Sequence, residues 1–231
     1  MLRLGEYLIP YLTSLASRID QTMLKYDRRL QDYEKFVERS EPYRFRALVV
    51  PPFMVKYVAG ITSMTVAGVA GFPYGYQPVK SKKADIEAIA EGGGKEVDIV
   101  INLVLLKSGR FEEVENEARE LVGFSKELGL GTKIIVETSI LSEEELRKAA
   151  RLVLSSGADF IKTNTGFGPR GVNLRDIHII RSAVGEELRV KASGGIRTAL
   201  DAAILLASGA DVIGASKGIE LVEEAKRVLE E

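Results

Sequence analysis

The sequence predicts an α/β chain folded as a single (β/α)8 TIM barrel with an extra N-terminal helix. Short β-branched or apolar runs recur eight times, each followed by a helical pattern of about ten to fifteen residues, as parallel strands joined by crossover helices require. The junctions Gly157-Ala158-Asp159 and Gly209-Ala210-Asp211 repeat one helix-to-strand punctuation. The 231 residues contain no linker-like or low-complexity stretch, so residues 1–231 are expected to form one closed barrel rather than two domains.

The elements follow in order. Leu4, Tyr7, Leu8, Tyr11, Leu12, Leu15 and Ile19 are spaced by threes and fours, predicting a helix over residues 1–18 that packs on the barrel. Arg3, Glu6 and Arg18 interrupt its apolar stripe, so neither a signal peptide nor a membrane span is expected. Strands are expected near residues 19–23, 46–50, 62–70, 97–102, 133–138, 159–164, 189–193 and 211–215. Between them, Ser142 and Glu145 form a capping box for a helix closed by Gly157. Further helices over 175–184 and 199–208 end at Gly185 and Gly209.

Composition narrows the chemistry. Apolar residues make up 45% of the chain, enough for a sizeable core, and the formal net charge of −1 argues against nucleic acid as a partner. Cysteine is absent, which excludes disulfides, thiolate metal ligands and cysteine nucleophiles. With His178 the only histidine, a catalytic zinc site of the usual His-rich kind is not expected, and catalysis falls to Lys, Asp, Glu, Tyr, Ser or Thr, with no cofactor expected. A soluble, cytoplasmic protein without a membrane partner is the expectation.

In such a barrel the reactive groups lie at the C-terminal ends of strands and in the loops that follow. Period-two alternation puts Lys162 with Asn164, Lys191 with Ser193, and Asp98 with Val100 and Asn102, while Asp20 lies in the first strand. With these faces turned inward, two lysines and two aspartates converge. A salt-bridge cluster that satisfies only itself would use the same residues. Two lysines on adjacent strands argue for more, because like charges in a partly desolvated space are relieved when one becomes neutral. A lysine with an ordinary pKa of about 10.4 is neutral about once in a thousand near pH 7.4. A fall of about three pH units removes that handicap and costs roughly 4 kcal/mol of stability, a cost characteristic of a nucleophilic amine. Asp20 and Asp98 would keep the other lysine charged. Lys133 and Glu137 share a face of the fifth strand and are read as structural, paired with barrel neighbours.

Two glycine-bearing loops complete the picture. Ser193-Gly194-Gly195-Ile196 follows the seventh strand and Gly214-Ala215-Ser216-Lys217-Gly218 the eighth, where these barrels hold phosphate on backbone N–H groups and a helix N-terminus. The run from Gly166 to Gly171 matches a dinucleotide fingerprint, but the next strand ends Lys191-Ala192-Ser193, without the acidic residue that would hold a ribose. It reads instead as a loop over the active site.

The stretches Ile19 to Lys25, Gly71 to Gly75, Glu96 to Asn102, Phe160 to Gly166 and Val190 to Arg197 together resemble the deoxyribose-phosphate aldolases, in that family's order and over nearly the whole chain. The resemblance implies a metal-independent class I aldolase that cleaves 2-deoxy-D-ribose 5-phosphate to glyceraldehyde 3-phosphate and acetaldehyde. It implies that Lys162 forms the imine, Lys191 perturbs its basicity, Asp98 relays protons through water and Asp20 holds Lys191. Thr165, Gly166, Ser193, Gly194, Gly195, Gly214, Ser216 and Lys217 would bind the sugar phosphate, with a homo-oligomer expected. Departures stand at Gln21, where the family usually has His, at Leu48 for Cys, and at Asn164 and Lys217, each for Ser. The last two bear on the substrate pocket. They leave room for a related lysine-imine aldolase with another sugar phosphate; a catalytically silent barrel scaffold is the reading furthest from this one.

Overall fold

Eight parallel strands close on one another in sequence order in the computed structural model of the chain, which describes residues 4–230. They are β1 (Ile19–Thr22), β2 (Ala47–Val49), β3 (Val66–Ala70), β4 (Glu96–Val100), β5 (Gly131–Ile135), β6 (Phe160–Lys162), β7 (Arg189–Ser193) and β8 (Val212–Ala215). β8 pairs with β1, Asp20 lying opposite Gly214, so the sheet has no free edge. Around the barrel run α1 (Leu4–Thr13), α2 (Leu30–Ser40), α3 (Pro52–Ala59), α4 (Val79–Glu91), α5 (Leu103–Lys107), α6 (Phe111–Glu127), α7 (Glu143–Ser155), α8 (Leu174–Val184), α9 (Ala199–Ala207) and α10 (Gly218–Glu230). The TIM barrel and its extra helix are as the sequence predicts.

Strand parity divides the core in two. Ile19, Leu48, Val97, Ile99, Ile134, Ile161, Val190 and Ile213 face outward and pack with the apolar stripes of the helices in one continuous cluster. The inward residues differ. A small apolar patch of Val49, Ala67 and Val69 lies on one side of the interior, and a cluster of buried charged side chains lies beside it. Leu48, one of the departures from the family pattern, is wholly buried on the outward side.

The capping box is present: Ser142 accepts from the Glu145 N–H and Glu145 accepts from the Ser142 N–H. Several boundaries differ from expectation, each for a local reason. The N-terminal helix stops at Thr13, where backbone bonds tighten to i→i+3 and a 3-10 turn spans Ala16–Arg18; residues 1–3 of the expected helix lie outside the described residues. It packs across α9 and α10. The third strand loses residues 62–65, because the Thr62 hydroxyl accepts from the Met64 N–H and donates to Glu41 in a turn. The fourth ends at Val100, since Asn102 caps α5 by accepting from the Leu105 N–H. The fifth ends at Ile135, and Glu137 adopts a left-handed conformation with φ 54°. Asn102 and Glu137 therefore do not share strand faces with Asp98 and Lys133.

Candidate active site

Parity brings Lys162 and Lys191 side by side, since they are register partners on β6 and β7. Both point into the barrel, where Asp98 Oδ2 accepts from Lys162 Nζ at 2.8 Å and from Lys191 Nζ at 2.7 Å. Lys191 reaches on to Asp20, its Nζ lying 2.6 Å from Oδ2. That reach crosses β8 at Gly214, where a Cβ would sit 2.8 Å from Ser193 Cβ and 3.0 Å from Lys191 Cε. Only glycine leaves the path open. The four expected residues thus meet as one connected group.

Three further residues join that group. Lys133 Nζ donates to Asp98 Oδ1 at 2.9 Å and to Glu96 at 2.6 Å. Arg46 makes paired hydrogen bonds to Glu96 and a 2.5 Å contact to Asp20. The sequence carried a signal for the inward placement of two of them, since Glu96 is two residues before Asp98 and Lys133 falls on the inward parity of β5, but none for their pairing with Arg46. Lys133 does pair with barrel neighbours, as expected, but those neighbours are the catalytic candidates themselves.

The electrostatics separate the two kinds of group. Burial is the main influence on Lys162, only 3% exposed, and with the cations Lys191 and Lys133 it outweighs Asp98 to lower the amine from 10.5 to about 8. Burial alone would raise the Asp20 carboxyl, yet Lys191, Lys133 and Arg46 hold it at about 2. Asp98 is likewise held well below the usual carboxylate range by Lys133, Lys162 and Lys191 against the effect of burial. The carboxylates are ionised at neutral pH, and one lysine is poised to be neutral.

Above Lys162 opens a cavity of about 650 Å³, within the range of small-molecule sites. Its walls include Thr165, Gly166 and Phe167 from the loop after β6, Ser193 to Ile196 after β7, and Gly214 to Lys217 after β8. All the expected phosphate residues therefore border one space with Lys162. Lys25 and Arg28, which the sequence reading did not single out, also line it; they lie in a loop, where no periodicity marks them. The Val172 N–H donates to the Gly194 carbonyl, tying the Gly166–Gly171 segment to the β7 loop. Glu137 has more than a strand-packing role: it accepts from both the N–H and the hydroxyl of Thr165, and from Ser139.

Two departures from the family pattern are resolved by position. Gln21 Oε1 accepts from the N–H of Gly218, the first residue of α10, so it anchors the helix beside the β8 loop. Asn164 does not share the Lys162 side of the pocket. Its side-chain amide lies 2.7 Å from the Thr138 hydroxyl, which is also 2.9 Å from Asp176, and Asn164 lies outside the cavity lining.

A closed barrel thus holds a buried lysine of lowered basicity beneath a cation-rimmed mouth. Residues 15–222 match the DeoC/LacD family aldolase model, and the chain belongs to that family. Among its relatives are the deoxyribose-phosphate aldolases of Thermoanaerobacter sp. (strain X514), 40% identical over 91% of this chain and 96% of that protein, and of Thermococcus kodakarensis, with the same three figures. Similar solved structures include the aldolase QR15 (TM-score 0.89, 38% identity, 93% of this chain and 97% of that one). A tetrameric deoxyribose phosphate aldolase from Aeropyrum pernix matches with TM-score 0.88 and 30% identity over 96% of both chains. The chain is an aldolase, and no helix among the described residues is long and apolar enough to cross a membrane.

Proposed function

We propose that the chain cleaves 2-deoxy-D-ribose 5-phosphate reversibly to D-glyceraldehyde 3-phosphate and acetaldehyde through a Schiff base on Lys162. The observation that carries this reading is the Lys162 amine, lowered to about 8 and bordering a cavity that the β7 and β8 loops also line. The names of the relatives support the substrate. Neutral Lys162 attacks the C1 aldehyde of the open-chain sugar, and loss of water gives the iminium. The C3 hydroxyl proton leaves through water to Asp98, and C3–O becomes the new carbonyl. The C2–C3 bond breaks, and its electron pair moves into the iminium to give a neutral enamine. Protonation at C2 and hydrolysis then release acetaldehyde and restore the amine.

In this mechanism Lys191 weakens the basicity of Lys162, and Asp20 positions Lys191. The phosphate sits against Gly194, Gly195, Ser216 and Lys217, with Thr165 and Gly166 closing over the sugar. We further propose a homo-oligomer, as the Aeropyrum pernix enzyme is tetrameric; light scattering on the purified protein measures it. Borohydride reduction with acetaldehyde, followed by peptide mass mapping, tests the chemistry. An ethyl adduct on Lys162 is expected, and an adduct confined to other lysines would overturn the assignment.

A further inference from the structure

The charged groups inside the barrel form a column from cavity floor to base. Lys162 and Lys191 share Asp98 Oδ2, and Lys191 also meets Asp20. Lys133 lies 2.9 Å from Asp98, 2.6 Å from Glu96 and 3.9 Å from Asp20. Arg46 closes the base at 2.5 Å from both Asp20 and Glu96. Among the described residues the column therefore holds four cations and three carboxylates. The Phe160 ring, inward on β6, borders Arg46 and Lys133 and carries the Arg189 guanidinium on its face, with Asp159 beyond it; both of these outer groups reach solvent. At the other end, Lys25, Arg28 and Lys217 line the cavity rim, exposed and screened by water.

The column has one cation too many. Arg46 remains charged at any ordinary pH and has two carboxylates. Lys133 has Asp98 and Glu96 close by, and Lys191 has Asp20 and Asp98. Lys162 has one carboxylate oxygen, and it shares that oxygen with Lys191. It is the least compensated of the four.

We infer that Arg46, at the base of the barrel and away from the cavity, is a positioning residue that acts through Glu96, Asp20 and Lys133 to saturate the carboxylates and so keep the Lys162 amine neutral. The inference rests on Lys162 being the imine-forming amine. With Arg46, Lys133 and Lys191 set against Asp20, Glu96 and Asp98, the column balances only when Lys162 carries no proton. Removing a cation at the base makes room for that proton. Removing a carboxylate there makes its binding less favourable still.

The test is the pH dependence of acetaldehyde trapping by borohydride and of kcat/KM for aldol cleavage, in the wild type and four variants. Arg46→Gln should move the midpoint up by about one pH unit, and Glu96→Gln should move it down by a similar amount. The double variant R46Q/E96Q should return close to the wild-type midpoint, and Arg46→Lys should keep it. A purely structural role would lower rates without moving the two midpoints in opposite directions. Should Arg46→Gln fail to fold, Glu96→Gln and the double variant carry the same comparison, because adding R46Q to E96Q must raise the midpoint. Midpoints that stay fixed, or move together, while wild-type Lys162 is labelled would overturn the column. Absence of a Lys162 label in the wild type would overturn the imine reading itself, and this inference with it.

Discussion

Replacing Lys191 with methionine keeps most of the side-chain volume and removes the charge. In the wild type, Lys191 Nζ sits 2.6 Å from Asp20 Oδ2 and 2.7 Å from Asp98 Oδ2, the oxygen that also takes Lys162 at 2.8 Å. Without it, Asp98 Oδ2 serves Lys162 alone and favours its charged form. Burial, the larger cause of the lowered basicity, persists, so the Lys162 midpoint should rise from about 8 by about one pH unit rather than return to 10.5. At pH 7.5 the neutral fraction then falls from about one quarter to about 3%, an eightfold loss of kcat/KM or so, corresponding to about 1.2 kcal/mol. The loss should vanish above about pH 10. Two buried carboxylates also lose a partner, a cost of about 3 kcal/mol to folding, since Lys133 and Arg46 remain beside them. The assay is kcat/KM against pH, with urea unfolding in parallel. A folded variant whose pH midpoint stays at the wild-type value would refute the reasoning.

Lys162→Arg should abolish both borohydride trapping and turnover while the fold persists, because a guanidinium stays charged; trapping that survives would move the imine elsewhere. Lys217→Ser should raise KM for the phosphorylated sugar several-fold, less than a buried ligand would, because Lys217 is exposed and shares its rim with Lys25 and Arg28. The unphosphorylated sugar is the control, and equal effects on both sugars would exclude a phosphate contact. Asp20 is lowered from 3.8 to about 2, so its share of stability, about 2 kcal/mol, is complete above about pH 4 and lost as pH falls through about 2. Urea midpoints measured over that window should drop, and Asp20→Asn should flatten the part of the slope due to this group.

The barrel was legible because its outward strand faces are apolar and its helices carry caps, two local signals that agree. The candidate group was legible in part through parity, which put Lys162, Lys191 and Asp98 on shared strand faces; Asp20 was placed only in the first strand, and the separate roles came from the resemblance. Parity failed where a side chain takes over from the ladder. Asn102 and Glu137 look like continuations of β4 and β5 in the sequence, yet one caps a helix and the other turns left-handed to hold Thr165. Asn164 looked like a pocket residue because it is two positions beyond Lys162. The strand ends at Lys162, however, and Thr138 draws the amide away from the cavity. The roles of Arg46 and Glu96 were hidden for a different reason. Their ion pair depends on the register between β2 and β4, which are not neighbours in the sheet, and no one-dimensional period encodes it.

The desolvated, cation-flanked environment of Lys162 bears on more than the first step. It disfavours the ammonium form, and for the same reason it disfavours the iminium, which carries the same charge on the same nitrogen. Cleavage of the C2–C3 bond sends an electron pair into that nitrogen and leaves a neutral enamine. In the proposed reaction the environment therefore destabilises the state before bond breaking and leaves the state after it largely unaffected, which strengthens the electron sink. Asp98 limits the effect. Its Oδ2, 2.8 Å from Lys162, gives the iminium one favourable contact, so the intermediate forms but is not trapped. The fall from 10.5 to about 8 corresponds to about 3 kcal/mol of stability withheld from the folded protein below pH 8 and regained as pH rises toward 10.5. A single arrangement of charges thus supplies a neutral nucleophile at the start and a reactive cation in the middle of the same cycle.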